Sequence, residues 1–368
     1  MTQKAKYTKQ ERAAFFRERA RQKAHIEIIE KVKSAGIRRS DYLSSSSASS
    51  RADESTKQTP PVELDWSQAP RAIDPVNFIP QKRALRKRLQ LANFVYWAAV
   101  SQRSRFQQAQ HSNQRVSLRV VEFCAGGGHL GLALAHFLPR IPARLILDGC
   151  DGTLSQFLNS LHVELVEKNA RACEIARTRI ADWRQHEQYC DKHDGCEIDV
   201  SVTQAWLQEY SCDTTFDVGV AVHACGLLTD LSQLHCMQHD AAFVLCSCCV
   251  GKIKGMLSDT LLNVEHTRQR NYGVLGQASL HVPRSERFRS VLSQQEFLQM
   301  TRAADYSEWD LRSNCEHATL RRLCKIYVEM DRMECARRAG YSTVLGKLRP
   351  CESSPKNDVI VGWKPVRE

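Results

Sequence analysis

The stretch from Arg119 to Gly131 constrains the fold more than any other part of this chain. A short, mostly apolar run ending at Phe123 opens directly into Cys124-Ala125-Gly126-Gly127-Gly128. The spacing predicts a buried strand followed by a turn in which the backbone can approach a ligand, because no Cβ stands in the way. Leu130, Leu132, Leu134, Ala135 and Leu138 then form a helical apolar stripe, and Pro139 stops it. Strand, glycine turn and helix N-terminus in this order make a nucleotide-type pocket on an α/β sheet.

Two ligand classes use such a turn. Gly126-x-Gly128-x-x-Gly131 fits the dinucleotide fingerprint, which would make the chain a nicotinamide oxidoreductase. Glu122-x-Cys124-x-Gly126-x-Gly128 fits the loop that holds S-adenosylmethionine (SAM), an acid followed by glycines at alternate positions. The acid favours the second, since a carboxylate repels a pyrophosphate but welcomes an ammonium.

Further strands ending in polar residues follow. His162 to Glu167 reads as a second strand closing on an acid, with Lys168 next and a helix through Ile180. A carboxylate there gives a ribose diol two acceptors. Asp148 and Asp151 are alternatives, carried with Gly149 and Gly152 on an expected insertion across Pro139–Leu161. Glu197 to Val202 predicts a third strand, after which Thr203 and Gln204 should lie beside the adenine. Phe216 to Val222 ends in His223-Ala224-Cys225-Gly226, and Ala241 to Leu245 ends in Cys246-Ser247-Cys248-Cys249-Val250-Gly251-Lys252. Open α/β sheets bind ligands at the carboxyl ends of their strands, so both clusters should share one rim.

With these residues in view, EFCAGGGHLGLALAH, AVHACGLLTD, CSCCVGK and SPKNDVIVG resemble the methyltransferase-like domain of the glutathione S-transferase C-terminal domain-containing protein family. The resemblance runs from about Pro80 to Trp363. It implies a Rossmann-like class I methyltransferase fold: a mostly parallel seven-stranded sheet with an antiparallel terminal strand and helices on both faces. It implies SAM as cofactor, held by Glu122, Cys124, Gly126, Gly127, Gly128, Glu167, Lys168, Thr203, Gln204 and His223. A looser likeness links the His-x-Cys-Gly and Cys-Cys pairs to transfer-RNA methyltransferases. Two departures stand out. Cys124 replaces the first glycine of the usual loop, and a basic segment stands where the family has a glutathione-transferase-like region.

The charge is uneven. Of a net charge of +11, residues 1–40 carry 12 Lys and Arg against 4 Glu. This basic segment can form a helix over Lys4–Lys33 and is read as a solvated extension, an RNA-binding arm or a mitochondrial presequence, the glutamates weighing against the last. Residues 41–70, with the serine tract Ser44–Ser50, read as a disordered linker. Residues 71–115 read as a helical cap and 116–368 as the catalytic domain. The helix from Pro80 through Val100 carries a basic cluster, Lys82–Arg88, either phosphate-facing or solvated, and the amides Gln90 and Asn93 on one face. No apolar run reaches ~20 residues, so no membrane span is expected. Fifteen cysteines without a secretory signal point to free thiols in a reducing, cytoplasmic setting.

At the rim, His223, Cys225, Cys248, Cys249 and Lys252 are the candidate catalytic residues. His223 is a base able to titrate near neutrality, or a pocket wall. Cys225, Cys246, Cys248 and Cys249 with His223 could hold zinc, but the spacing lacks a paired C-x₂-C framework, and no metal is expected. A covalent cysteine of the pyrimidine-methylating kind normally follows Pro, where Ser247 stands. After a sixth strand over Leu323–Val328 and a helix over Asp331–Ala339, Gly340–Leu345 and Val359–Trp363 should close the sheet. The expected function is SAM-dependent methyl transfer to RNA. A protein or small-molecule acceptor, and a non-catalytic RNA-binding scaffold, are the alternatives.

Overall fold

The computed structural model describes residues 9–38, 60–189, 195–212, 214–262, 274–275, 278–307 and 315–365. Seven strands form one sheet: β1 (Val116–Phe123), β2 (Leu158–Glu167), β3 (Glu197–Gln204), β4 (Val218–Ala221), β5 (Ala242–Leu245), β6 (Ser342–Lys347) and β7 (Asp358–Trp363). Their spatial order is β3-β2-β1-β4-β5-β7-β6. β7 runs antiparallel to both of its neighbours, and every other pairing is parallel. This is the Rossmann-like class I methyltransferase arrangement expected from the resemblance. The order turns back between β1 and β4, and the crevice of such a sheet opens at that switch point.

The helices are α1 (Lys9–Ser34), α2 (Gln81–Ser101), α3 (Arg103–Ser112), α4 (His129–Phe137), α5 (Ala170–Tyr189), α6 (Leu228–Gln238), α7 (Ile253–Leu262), α8 (Glu286–Arg289), α9 (Gln294–Ala304) and α10 (Glu316–Arg338). Alternation along the strands sends side chains to two separate cores. Val120, Val163, Val220 and Val244 pack with α2 and α4 on one face. Val121, Phe123, Phe243 and Ile360 pack with α6, α9 and α10 on the other. The short central strands β4 and β5 are buried at every residue, which explains their uninterrupted apolar sequence.

Three expectations are corrected. Leu323–Val328 is not a strand but the middle of α10, continuous with the helix expected over Asp331–Ala339. Lys325 pairs with Glu329 at i+4, and Glu329 with Arg332 at i+3, spacings that only a helix brings together. The insertion before β2 is shorter than expected, because the strand begins at Leu158 and two short 3₁₀ turns precede it. The basic extension is not merely solvated. Ile28, Ile29, Val32 and Ile37 are buried, in the core shared with α9 and α10.

Most of the expected linker lies outside the described residues. Its last part, residues 60–70, does not behave as one: Val62 and Leu64 are buried, and Trp66 meets Phe137 edge-on at 4.8 Å. None of the fourteen described cysteines forms a disulfide. Among the described residues, no helix is long and apolar enough to cross a membrane.

Candidate functional site

The glycine turn takes the shape its sequence demands. Cys124, Gly126 and Gly128 all have positive φ, at 56°, 56° and 75°. Two of these cost a glycine little, whereas Cys124 holds a left-handed conformation that disfavours a side chain. A Cβ on Gly126 would meet nothing within 4 Å, so the space above it is open. Gly131 is a packing glycine instead: a Cβ there would strike Leu165 at 2.1 Å and Glu122 at 2.9 Å.

Glu167, at the end of β2, faces this turn. Its Oε2 accepts from the Gly126 amide at 2.9 Å and its Oε1 from the Asn169 amide at 2.9 Å. Each oxygen keeps a lone pair for a further donor. Cys124, Glu167, Lys168, Trp206 and Gln208 line one small hollow beside it. Lys168 Nζ lies 4.2 Å over the Trp206 ring, joining the two sides of the hollow. Beyond β3 the wall of this hollow is formed by Trp206, Leu207 and Gln208 rather than by Thr203 or Gln204. Thr203 instead turns to Glu164, donating to its Oε1 at 2.6 Å, and Gln204 is exposed. Asp148 is remote from the hollow, its carboxylate exposed and paired with Arg103 at 2.9 Å.

Glu122 is not part of this lining. It is buried and accepts from the Gly131 amide at 2.7 Å. Burial pushes its carboxyl up to about 8, against the pull of the Gly131 N–H and of Lys87. Lys87 comes from the middle of the expected basic cluster. Burial brings its ammonium down to about 8, with Glu122 opposing. It donates to Gln90 Oε1 at 2.9 Å and approaches His223 Nε2 to 3.5 Å. The cluster is thus split. Lys82 and Arg83 are exposed, Lys87 enters the site, and Arg88 is spent on Asp74 and the Trp66 ring. Asn93, grouped with Gln90 by spacing, holds Arg349 by its backbone and is structural.

His223 opens to solvent on one side. The packing around its ring, then the Lys87 charge, lower its pKa from the usual value, so it is uncharged at neutral pH. The expected titration near neutrality is corrected accordingly. Residues ahead of α2 fold over the turn: the Arg179 guanidinium lies 3.9 Å over Phe78, which packs on His129 at 5.9 Å. Arg179 also donates to the Gly127 carbonyl at 2.8 Å. His129, lowered to about 3 by burial and by Arg179 and Lys87, has a buried Nδ1 with no partner. A neutral ring can carry its hydrogen there and donate to an anion. Arg179 and Trp206 stand in stretches that read as ordinary helix or loop, while His129 and Lys87 lie within the glycine motif and the basic cluster, where spacing does not single them out.

At the rim, Cys225, Cys248 and Cys249 converge, with Cys225 Sγ and Cys248 Sγ 2.9 Å apart. Cys225 is drawn down to about 6, first by its contact with Cys248. Cys246 does not join them; it is buried and directed at the Lys356 carbonyl, 3.2 Å away. Lys252 is exposed beside the thiols, and their charge raises its pKa.

No family model matches the chain. The glutathione S-transferase C-terminal domain-containing protein of Mus musculus is 31% identical over 304 residues, covering 82% of this chain and 37% of that protein. Its Homo sapiens counterpart is 30% identical over the same shares. The chain thus spans little more than a third of the length of the curated relatives it matches. Among solved structures, a putative SAM-dependent methyltransferase from Methanococcus maripaludis shows 12% identity and a TM-score of 0.27, covering 78% of this chain and 94% of that one. The glycopeptide N-methyltransferase MtfA complexed with SAM shows 14% and 0.28, covering 72% and 95%. Through the aligned 304 residues, carried on a class I methyltransferase sheet, the chain is a relative of the glutathione S-transferase C-terminal domain-containing proteins.

Proposed function

We propose that the chain is a SAM-dependent methyltransferase whose acceptor is RNA. The observation that carries the cofactor is Glu167: a carboxylate with a spare lone pair on each oxygen, beside the open space above Gly126. Those lone pairs suit the two hydroxyls of a ribose. Trp206 and Leu207 offer an apolar wall to the base. Glu122 suits an ammonium, while Lys87 and the unpartnered His129 Nδ1 suit a carboxylate. These are the ends of an amino acid, and a pyrophosphate would meet Glu122 instead.

When bound, the cofactor supplies a methyl group activated by a sulfonium. The protein has only to align a nucleophile with that carbon and, where the nucleophile is protonated, take its proton. His223 is uncharged and can accept one, though its lowered pKa makes it a weak base. RNA is supported by charge: the exposed Lys82 and Arg83 lead along α2 toward Lys87, and α1 carries further exposed Arg and Lys. A scaffold that binds without turnover is the second reading, and strained Cys124 in the cofactor turn favours it.

Titration calorimetry against SAM, S-adenosylhomocysteine and NAD tests the cofactor. Heat with the first two and none with NAD is expected, and silence with both would reject the enzyme. Transfer of labelled methyl to total RNA then separates enzyme from scaffold. Lys82→Glu with Arg83→Glu should weaken RNA binding and flatten its salt dependence by about two contacts; an unchanged slope would remove RNA.

A further inference from the structure

Three thiols meet at the rim in a way that neither the sheet nor methyl transfer requires. Cys225 follows β4, while Cys248 and Cys249 follow β5, and the three sulfurs lie within 4.8 Å of one another. All three are half-buried. Adjacent cysteines make a poor closed metal framework when read from spacing alone. Here, however, the third sulfur comes from a different loop, and the two loops are tied. The Gly226 amide donates to the Cys249 carbonyl at 3.0 Å.

Beneath them, α10 fixes both loops from the buried side. Arg332 donates to the Gly226 carbonyl at 3.3 Å, and Lys325 donates to the Ser247 carbonyl at 3.0 Å. Both cations are held in turn by Asp230 and Glu329. Such anchored backbone is what keeps a ligand set from spreading, and it resembles the outer shell of a metal site. Left as thiols, these groups are weak donors and weak acceptors, and Cys225 and Cys248 meet each other. Left as thiolates, they repel at close range. A soft divalent cation removes both difficulties.

We propose that Cys225, Cys248 and Cys249 form a three-thiolate site for a soft divalent cation, zinc foremost, with its fourth position open to the rim. Zinc–sulfur bonds of ~2.3 Å at tetrahedral angles put sulfurs ~3.8 Å apart. The present pair at 2.9 Å must therefore open by roughly 1 Å, and the other two separations are no more than 4.8 Å. Each thiol gives its proton to solvent as its sulfur bonds the metal, and nothing is oxidised or reduced. Zinc with three thiolates carries one net negative charge, which the exposed Lys252 faces. Cys246 is excluded by its bond to Lys356. The site does not rest on the methyltransferase reading, and its test measures metal rather than turnover.

The full chain, reduced and stripped with a chelator, is titrated with cobalt(II) as a spectroscopic probe. One equivalent should bind with thiolate-to-cobalt charge transfer and the intense visible bands of a tetrahedral site, and one equivalent of zinc should bleach both. Cys225→Ser and Cys248→Ser should each abolish the charge-transfer band and weaken binding at least tenfold. Cys315→Ser and Cys351→Ser, at exposed cysteines elsewhere, should change neither. A lack of charge transfer in the unaltered chain, or bands that survive both rim substitutions, would overturn the site. Should the rim variants not fold, iodoacetamide labelling of the unaltered chain decides. Zinc should protect Cys225, Cys248 and Cys249 together. Equal labelling with and without zinc, or a Cys225–Cys248 disulfide that zinc does not prevent, would overturn it as well.

Discussion

Cys124 shows how a single residue tunes the glycine turn. A side chain in the left-handed region costs roughly 1–2 kcal/mol. Glycine avoids that cost but loses about 0.5–1 kcal/mol through its freer unfolded chain. Cys124→Gly should therefore gain at most about 1.5 kcal/mol in urea unfolding. Cys124→Val should lose more than that, because a β-branched residue is a true outlier at positive φ. Equal midpoints for the two variants would refute a strained turn. Glu122 makes a second residue-scale case. Burial holds its carboxyl up to about 8, and Lys87, Glu167 and the Gly131 N–H are the groups acting on it. A ligand ammonium favours the carboxylate, so binding at pH 7 must expel a proton. SAM affinity should accordingly rise from pH 6.5 toward 8, with about one proton released, and Glu122→Gln should flatten the rise. Calorimetry in buffers of different ionisation heat measures that proton directly. The acid itself was readable in the sequence because it ends an apolar strand. Lys87, which faces it, was not, since Lys82, Arg83, Arg86 and Arg88 surround it with like charge and only tertiary packing turns this one inward.

Among the elements, α10 is the one most easily misread and the one that organises the rim. Leu323-Cys324-Lys325-Ile326-Tyr327-Val328 is short, apolar and β-branched, so its period cannot be told from a buried strand. The flanking charges carried the missing signal. Lys325, Glu329 and Arg332 stack along one face and reach Ser247, Asp230 and Gly226. The strands β1, β2, β4 and β5 were legible for the opposite reason: each is an apolar run that stops abruptly at a polar or glycine cluster. In α10 burial pushes the Glu329 carboxyl up, yet Lys325 and Arg332 more than reverse this, bringing it down to about 2. A depressed carboxylate stabilises the fold above its unfolded value of 4.5, and that contribution is lost as pH falls toward 2. Replacing it is harsher than protonating it. Glu329→Leu leaves Lys325 uncompensated in the core and should cost about 3–5 kcal/mol, read as a fall in the denaturation midpoint. The double change Glu329→Leu with Lys325→Met should recover much of that loss, because the stranded charge goes with its partner. A double variant no better than the single would mean that α10 supports the thiol loops by packing alone.

At the scale of the molecule, the basic N-terminal segment has two unlike ends. Its charge marked it as an appendage, and composition could not show that its last turns belong to the core. Ile28, Ile29 and Val32 recur at helical spacing beside Lys31 and Lys33, so the apolar face is narrow and easily lost among cations. Packing makes the face count. Val32 is fully buried, and Glu296 and Arg287 reach across to Lys31 and the Gly36 carbonyl. Helix α1 therefore closes the core over α9 and α10, while its earlier turns project exposed Arg and Lys. A deletion of the whole segment would confuse these two roles, since loss of RNA affinity could follow from loss of the core. Val32→Asp separates them. It leaves every cation in place but buries a carboxylate without a partner, which should destabilise the chain by several kcal/mol. Thermal unfolding should stay a single transition shifted downward, because the buried face of α1 is continuous with the core that includes Phe243 and Ile360. An unshifted midpoint, or an early transition involving α1 alone, would return the segment to the status of a detachable arm.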